Sequence, residues 1–125
     1  MTETQVRFLR AIAAQIPAER VVEVHLFPAL RQGTVETGVA VVAEEAPEGS
    51  DKHIVHSARY RHTVKGPDRG KWETDIVAEA DAPLVTVEAV VRGVRHRAGE
   101  SGEPERLSAD EFRAAIAADA WTPAQ

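Results

Sequence analysis

Apolar residues first recur at intervals of three and four: Val6, Leu9, Ile12 and Ile16 form one stripe, with Arg7, Arg10 and Gln15 off it. That spacing predicts an amphipathic helix, capped by Thr2 with Gln5 reaching back and stopped by Pro17. From Val21 to Glu44 the period drops to two around a Gln32-Gly33 turn, the pattern of a hairpin. With Arg31 opposite Thr34, Leu30 pairs with Val35, Leu26 with Val39, Val24 with Val41 and Val22 with Ala43, which makes one apolar face. The same register lays Phe27 over Gly38, an aromatic covering a residue that has no side chain to pack, and turns Phe27 to the reverse face. Pro28 has no N–H to give a ladder, so it belongs at a sheet edge.

Glu45 to Asp51 reads as a solvated connection, and a second hairpin follows with KGPDRGK at its tip. Placing Val64 opposite Trp72 brings His62 to Thr74, Tyr60 to Ile76 and Ala58 to Ala78, with Arg61 meeting Asp75 and Thr63 meeting Glu73 on the reverse face. The segment 84–97 has strand-prone valines, which leaves a fifth strand as the alternative. Leu84, Val87, Val91 and Val94 nevertheless fall at helical spacing, Glu88 and Arg92 lie four apart, and Asp81 with Pro83 suits a helix start. Residues 98–106 read as a polar linker. Ser108 and Glu111 then form a capping box flanked by Leu107 and Phe112, opening a last helix expected to end near Trp121.

These elements predict one α+β domain over residues 1–125: a two-layer, four-stranded antiparallel meander with helices, in the order α-β-β-β-β-α-α. Four strands at about 4.8 Å spacing offer room for two helices of about 10 Å diameter, so the third is expected at an edge, on the other face or on another subunit.

Composition narrows the function more than it identifies it. A net charge of -5 disfavours general affinity for nucleic acid or an anionic membrane surface. The absence of cysteine excludes disulfides and thiolate chemistry. No apolar run is long enough for a bilayer and no signal-peptide pattern opens the chain, so a cytoplasmic location is expected.

No catalytic motif is present. A phosphate loop opens onto a helix N-terminus, whereas KGPDRGK joins two strands and its proline lacks a donor, so it reads as hairpin chemistry. Metal ligation is not expected, because His56 and His62 share a strand face about 20 Å apart while His53 points the other way. No cofactor is implied. The reverse face of the sheet, with Val21, Phe27, Val42, Val55 and Val77 among His25, Arg59, Arg61, Glu23 and Asp75, is more apolar than a solvated face should be. Its cover is expected to be either the last helix or a partner. The leading expectation is therefore an interaction domain, a homo-oligomer or the binder of a protein partner, with His25, Phe27, Val42, Arg59 and Arg61 at the contact. The alternative is a small-molecule binder or enzyme whose pocket between sheet and helices is lined by His56, Tyr60, His62, Trp72 and Thr74.

Overall fold

In the computed structural model, which describes residues 1–45, 53–79, 87–98 and 102–117, helix α1 spans Glu3–Gln15. The Thr2 side chain accepts from the Gln5 amide and the Gln5 side chain accepts from the Thr2 amide, so the expected capping box closes. Phe8, Leu9 and Ile12 lie fully buried along its inner face. A short 3-10 turn leads into β1 (Val21–Leu26), followed by β2 (Leu30–Gln32), β3 (Val35–Glu45), β4 (His53–Thr63) and β5 (Trp72–Glu79). Helix α2 (Val87–Ala98), strand β6 (Glu105–Ser108) and helix α3 (Ala109–Ala117) complete the described chain. Leu84, Asp81, Pro83 and Trp121 lie outside the described residues.

The fold is α+β with an antiparallel sheet, but six strands form it rather than four. The order across the sheet is β5-β4-β3-β1-β6, with β2 pairing β3 off that path. Two local causes account for the extra strands. Phe27, Pro28 and Ala29 interrupt the first predicted strand, splitting β2 from β1. The polar stretch before Leu107 needs no apolar pattern to join the sheet, because β6 is a four-residue edge strand held by backbone pairing to β1.

Helices cover both faces. Even-numbered residues of β3 and β4 pack with Val24, Leu26 and Leu107 under α1 and α3, whose Phe8, Leu9, Ile12 and Phe112 fill that layer. Phe27, Val39, Val41, Ala43 and Val55 pack on the opposite face under Val87, Val90 and Val94 of α2. The segment that was ambiguous between helix and strand is thus the cover of the second face, while Phe112 and Ile116 of α3 pack with the first. Among the described residues no helix is long and apolar enough to cross a membrane.

Register departs from the sequence expectation in an instructive way. Val24 pairs with Val42 and Leu26 with Ala40, one residue away from the expected partners, and a bulge between Val21 and Glu23 changes the phase again. A one-residue slip reverses a strand's faces. Val39 and Val41 therefore turn toward α2, while Val42 turns toward α1. The second hairpin slips by two, pairing His62 with Trp72 and Tyr60 with Thr74, so its faces are those expected. Gly38 is covered by an aromatic as expected, but the ring is Tyr60 of β4 rather than Phe27.

Candidate functional site

Strand alternation and the reach of α2 together create an open half-face. On the α2 side, β4 presents Val55 beneath the helix and then Arg59 and Arg61 beyond it; β5 presents Glu73, Asp75 and Val77. Pairing sets Arg59 opposite Asp75 and Arg61 opposite Glu73, so a basic row runs beside an acidic row. Only a loose ion pair joins them, Arg59 Nη2 to Asp75 Oδ2 at 3.3 Å, with the two side chains 70% and 60% exposed. Such a pair contributes little to stability and leaves both groups able to turn to another partner. Leu30 of β2 and Val77 flank the rows and are 40% and 50% exposed. The floor between β2 and β5 is concave, a groove of about 700 Å³ lined by Leu30, Thr37, Val39, Arg59, Arg61 and Asp75 among others. A smaller polar hollow of about 250 Å³ continues toward the hairpin tip, bounded by Arg61, Thr63, Asp68, Lys71 and Glu73.

The five expected contact residues do not stay together. Arg59 and Arg61 stand exposed on the open half-face. Phe27 is fully buried beneath α2, correcting its placement at a surface. Val42 is fully buried on the other side, beneath α1. His25 lies on the α2 side but is only 14% exposed, its Nε2 donating to Glu23 at 2.8 Å. The cause is the one-residue slip of β1 on β3, compounded by a helix covering what pattern alone left bare. A signal was present: Val39 to Ala43 is five consecutive apolar residues, and a strand that does not alternate is buried on both faces.

The residues of the alternative pocket do share the α1 face, yet they fill it themselves. Tyr60 packs between Phe8, with ring centroids 4.7 Å apart, and Trp72, stacked at 5.3 Å. His62 meets the edge of Trp72 at 5.5 Å, and the Arg7 guanidinium caps that ring at 4.3 Å. The Tyr60 hydroxyl donates to Glu36 at 2.7 Å. Burial, and then the adjacent Glu36 carboxylate, push the phenol far above its ordinary value, which keeps it a neutral donor. Thr74 sits half-buried beside Tyr60 in the ladder, and His56 lies toward the far end of β4 with its Nε2 on Glu44 at 2.8 Å.

The KGPDRGK tip uses its own donors. The amides of Arg69, Gly70 and Lys71 donate to the carbonyls of Gly66, Thr63 and Asp68. Gly66 and Gly70 take positive φ of 88° and 95°, as the turns require. This is the expected hairpin, with those amides turned inward. Among the described residues no cluster of three His, Asp or Glu side chains is arranged to hold a metal ion.

Two carboxylates away from the groove are structural. Glu44 accepts from Arg20 Nε at 2.9 Å and from His56 Nε2; Glu23 accepts from His25 and from Arg106 Nε at 2.9 Å. Partial burial works against ionisation of Glu44, but the hydrogen bonds and charges of His56 and Arg20 outweigh it and hold the carboxyl below its ordinary 4.5. A carboxyl depressed in the folded state adds stability that is complete above the unfolded value and is lost as pH falls through the folded one. Glu44→Gln is therefore expected to destabilise at pH 7, and urea unfolding should show its gap from wild type narrowing as pH is taken from 7 to below the ordinary 4.5. A gap unchanged between those pH values would mean that Glu44 acts through packing alone.

No protein-family model, no curated protein and no solved structure matches the chain.

Proposed function

We propose that this chain is a small interaction domain that engages another polypeptide through the open half of its sheet, with Arg59, Arg61, Glu73, Asp75, Leu30 and Val77 at the contact. The observation that carries this reading is the division of one sheet face: α2 seals the half over Phe27, Val41 and Ala43, and no described residue seals the rest. A solvated antiparallel face is normally polar throughout. Here two large apolar side chains border a concave, charge-bearing floor, and an apolar contact with arginine nearby suits protein recognition. The open face balances its two arginines with two carboxylates, so it offers no basic field for a phosphate backbone.

Site-specific photo-crosslinking tests the reading. Benzoylphenylalanine placed at Val77 is expected to give covalent protein adducts in cells that produce the chain, while the same group at exposed Gln15 of α1 gives none. Equal adduct patterns at both positions, or none at Val77, would remove the contact face.

One observation favours a second reading. The groove's volume falls within the range of roughly 300–1,000 Å³ typical of small-molecule pockets, and its paired opposite charges suit a zwitterionic ligand. Native mass spectrometry of freshly purified protein would then show a small adduct that Arg61→Glu removes; bare protein in both samples would count against that reading.

A further inference from the structure

We infer that the polypeptide seated on this face is a second copy of the chain, turned over by a two-fold axis lying parallel to the strands between β4 and β5. This assignment rests on the contact-face reading above and names its occupant.

The patch is self-complementary in charge. In a two-fold dimer the same patch meets itself, so every feature must find its complement within the patch. Strand pairing keeps Arg59 level with Asp75 and Arg61 level with Glu73. An axis parallel to the strands and midway between them flips the sheet face to face, exchanges the positions of β4 and β5, and preserves those levels. Arg59 of one copy then stands over Asp75 of the other, and Arg61 over Glu73, twice over. An axis in the same plane but across the strands would lay β4 on β4 and bring the two basic rows together. Charge therefore selects one of the two face-to-face arrangements, by attraction in the first and repulsion in the second.

Helix α2 stands over Val55, the residue level with Glu79, so the axis brings together only the strand ends from Arg61 and Glu73 to Val77. Val77 continues the acidic row on the same face and lies next to the axis, since strands are about 4.8 Å apart. Each Val77, half exposed in the single chain, then stands over Ser57 of the other copy, its level partner on β4, and withdraws apolar surface from water. The ion pair within one copy is loose and solvated, so trading it for pairing across copies leaves no charge without a partner. The patch is confined to the uncovered ends of β4 and β5 with Leu30 beside them, and its ion pair is solvent-exposed. The association is accordingly weak, reversible and salt-sensitive.

Light scattering and sedimentation equilibrium across roughly 10 μM to 1 mM test the assignment, with dimer expected toward the upper end. Arg59→Glu with Arg61→Glu makes the patch wholly acidic, and Glu73→Arg with Asp75→Arg makes it wholly basic. Each double variant alone is expected to stay monomeric, and an equimolar mixture of the two to associate at least as tightly as wild type. Val77→Arg is a milder variant on an exposed site and is expected to weaken dimerisation at least tenfold with an unchanged circular dichroism spectrum. A wild type that stays monomeric throughout, double variants that dimerise as wild type does, or a mixture that stays monomeric while wild type dimerises would each overturn the second copy as occupant. Crosslinking at Val77 separates this failure from that of the contact face: adducts at twice the chain mass support the dimer, and adducts only at other masses overturn it while sparing the face. No adduct at all removes both.

Discussion

Phe27→Ala is expected to remove about 3–5 kcal/mol of stability, the usual loss for truncating a fully buried phenylalanine. The ring is completely enclosed and packs with Val39, Val41, Ala43 and Val55 beneath Val87, Val90 and Val94. Its removal leaves a cavity between the sheet and α2 that stiff β-branched neighbours cannot close by changing rotamer. Folded domains of this size have a total stability of about 5–15 kcal/mol, so the variant should unfold at a much lower urea concentration. Val77→Ala is the control: a half-exposed valine on the same side of the sheet, expected to change stability by about 0.5 kcal/mol or less. Equal and small effects for both would mean that Phe27 lies at a surface and that α2 does not cover the face.

Gly38→Ala should be the next most damaging change, at about 1–3 kcal/mol from overpacking alone. A Cβ built at Gly38 would lie 2.1 Å from Cε1 and 2.6 Å from Cζ of Tyr60. The ring cannot swing aside without loss, because Phe8 and Trp72 hold its two sides and Glu36 holds its hydroxyl. Displacing it would also forfeit the hydrogen bond to Glu36, worth roughly another 1 kcal/mol or more. The explanation is specific to the ring, so Tyr60→Ala should abolish most of the penalty. Urea unfolding of the two single variants and the double variant is expected to give a coupling of about 1–3 kcal/mol. Additive effects would show that Gly38 is needed for a reason other than the ring above it.

What was legible, and what was not, divides along physical lines. The capping boxes of α1 and α3 depend on residues three apart, and both form as read. The faces of β4 and β5 were legible although their register was not, because a slip of two residues preserves alternation. Hence Arg59 and Arg61 reach the surface where Asp75 and Glu73 stand, and Tyr60, His62 and Trp72 come together on the α1 side. β6 was illegible: backbone groups pair it to β1, and its two anchoring side chains, Leu107 in the core and Arg106 on Glu23, are too few to show a strand period.

By itself, the sequence determined α1 and α3, the two hairpins, the antiparallel α+β class and the sides of β4 and β5, since caps, turns and periodicity act over a few residues, while α2 stood open against a fifth strand. The tertiary structure alone decided which side of β3 faces which helix, and therefore that Phe27 and Val42 are core while Arg59, Arg61, Glu73 and Asp75 are surface. A backbone ladder is nearly indifferent to a one-residue slip. What separates the two registers is the apolar area each buries on both faces, and that sum requires α2, contributed from some fifty residues further along the chain, to be in place over one half of the sheet.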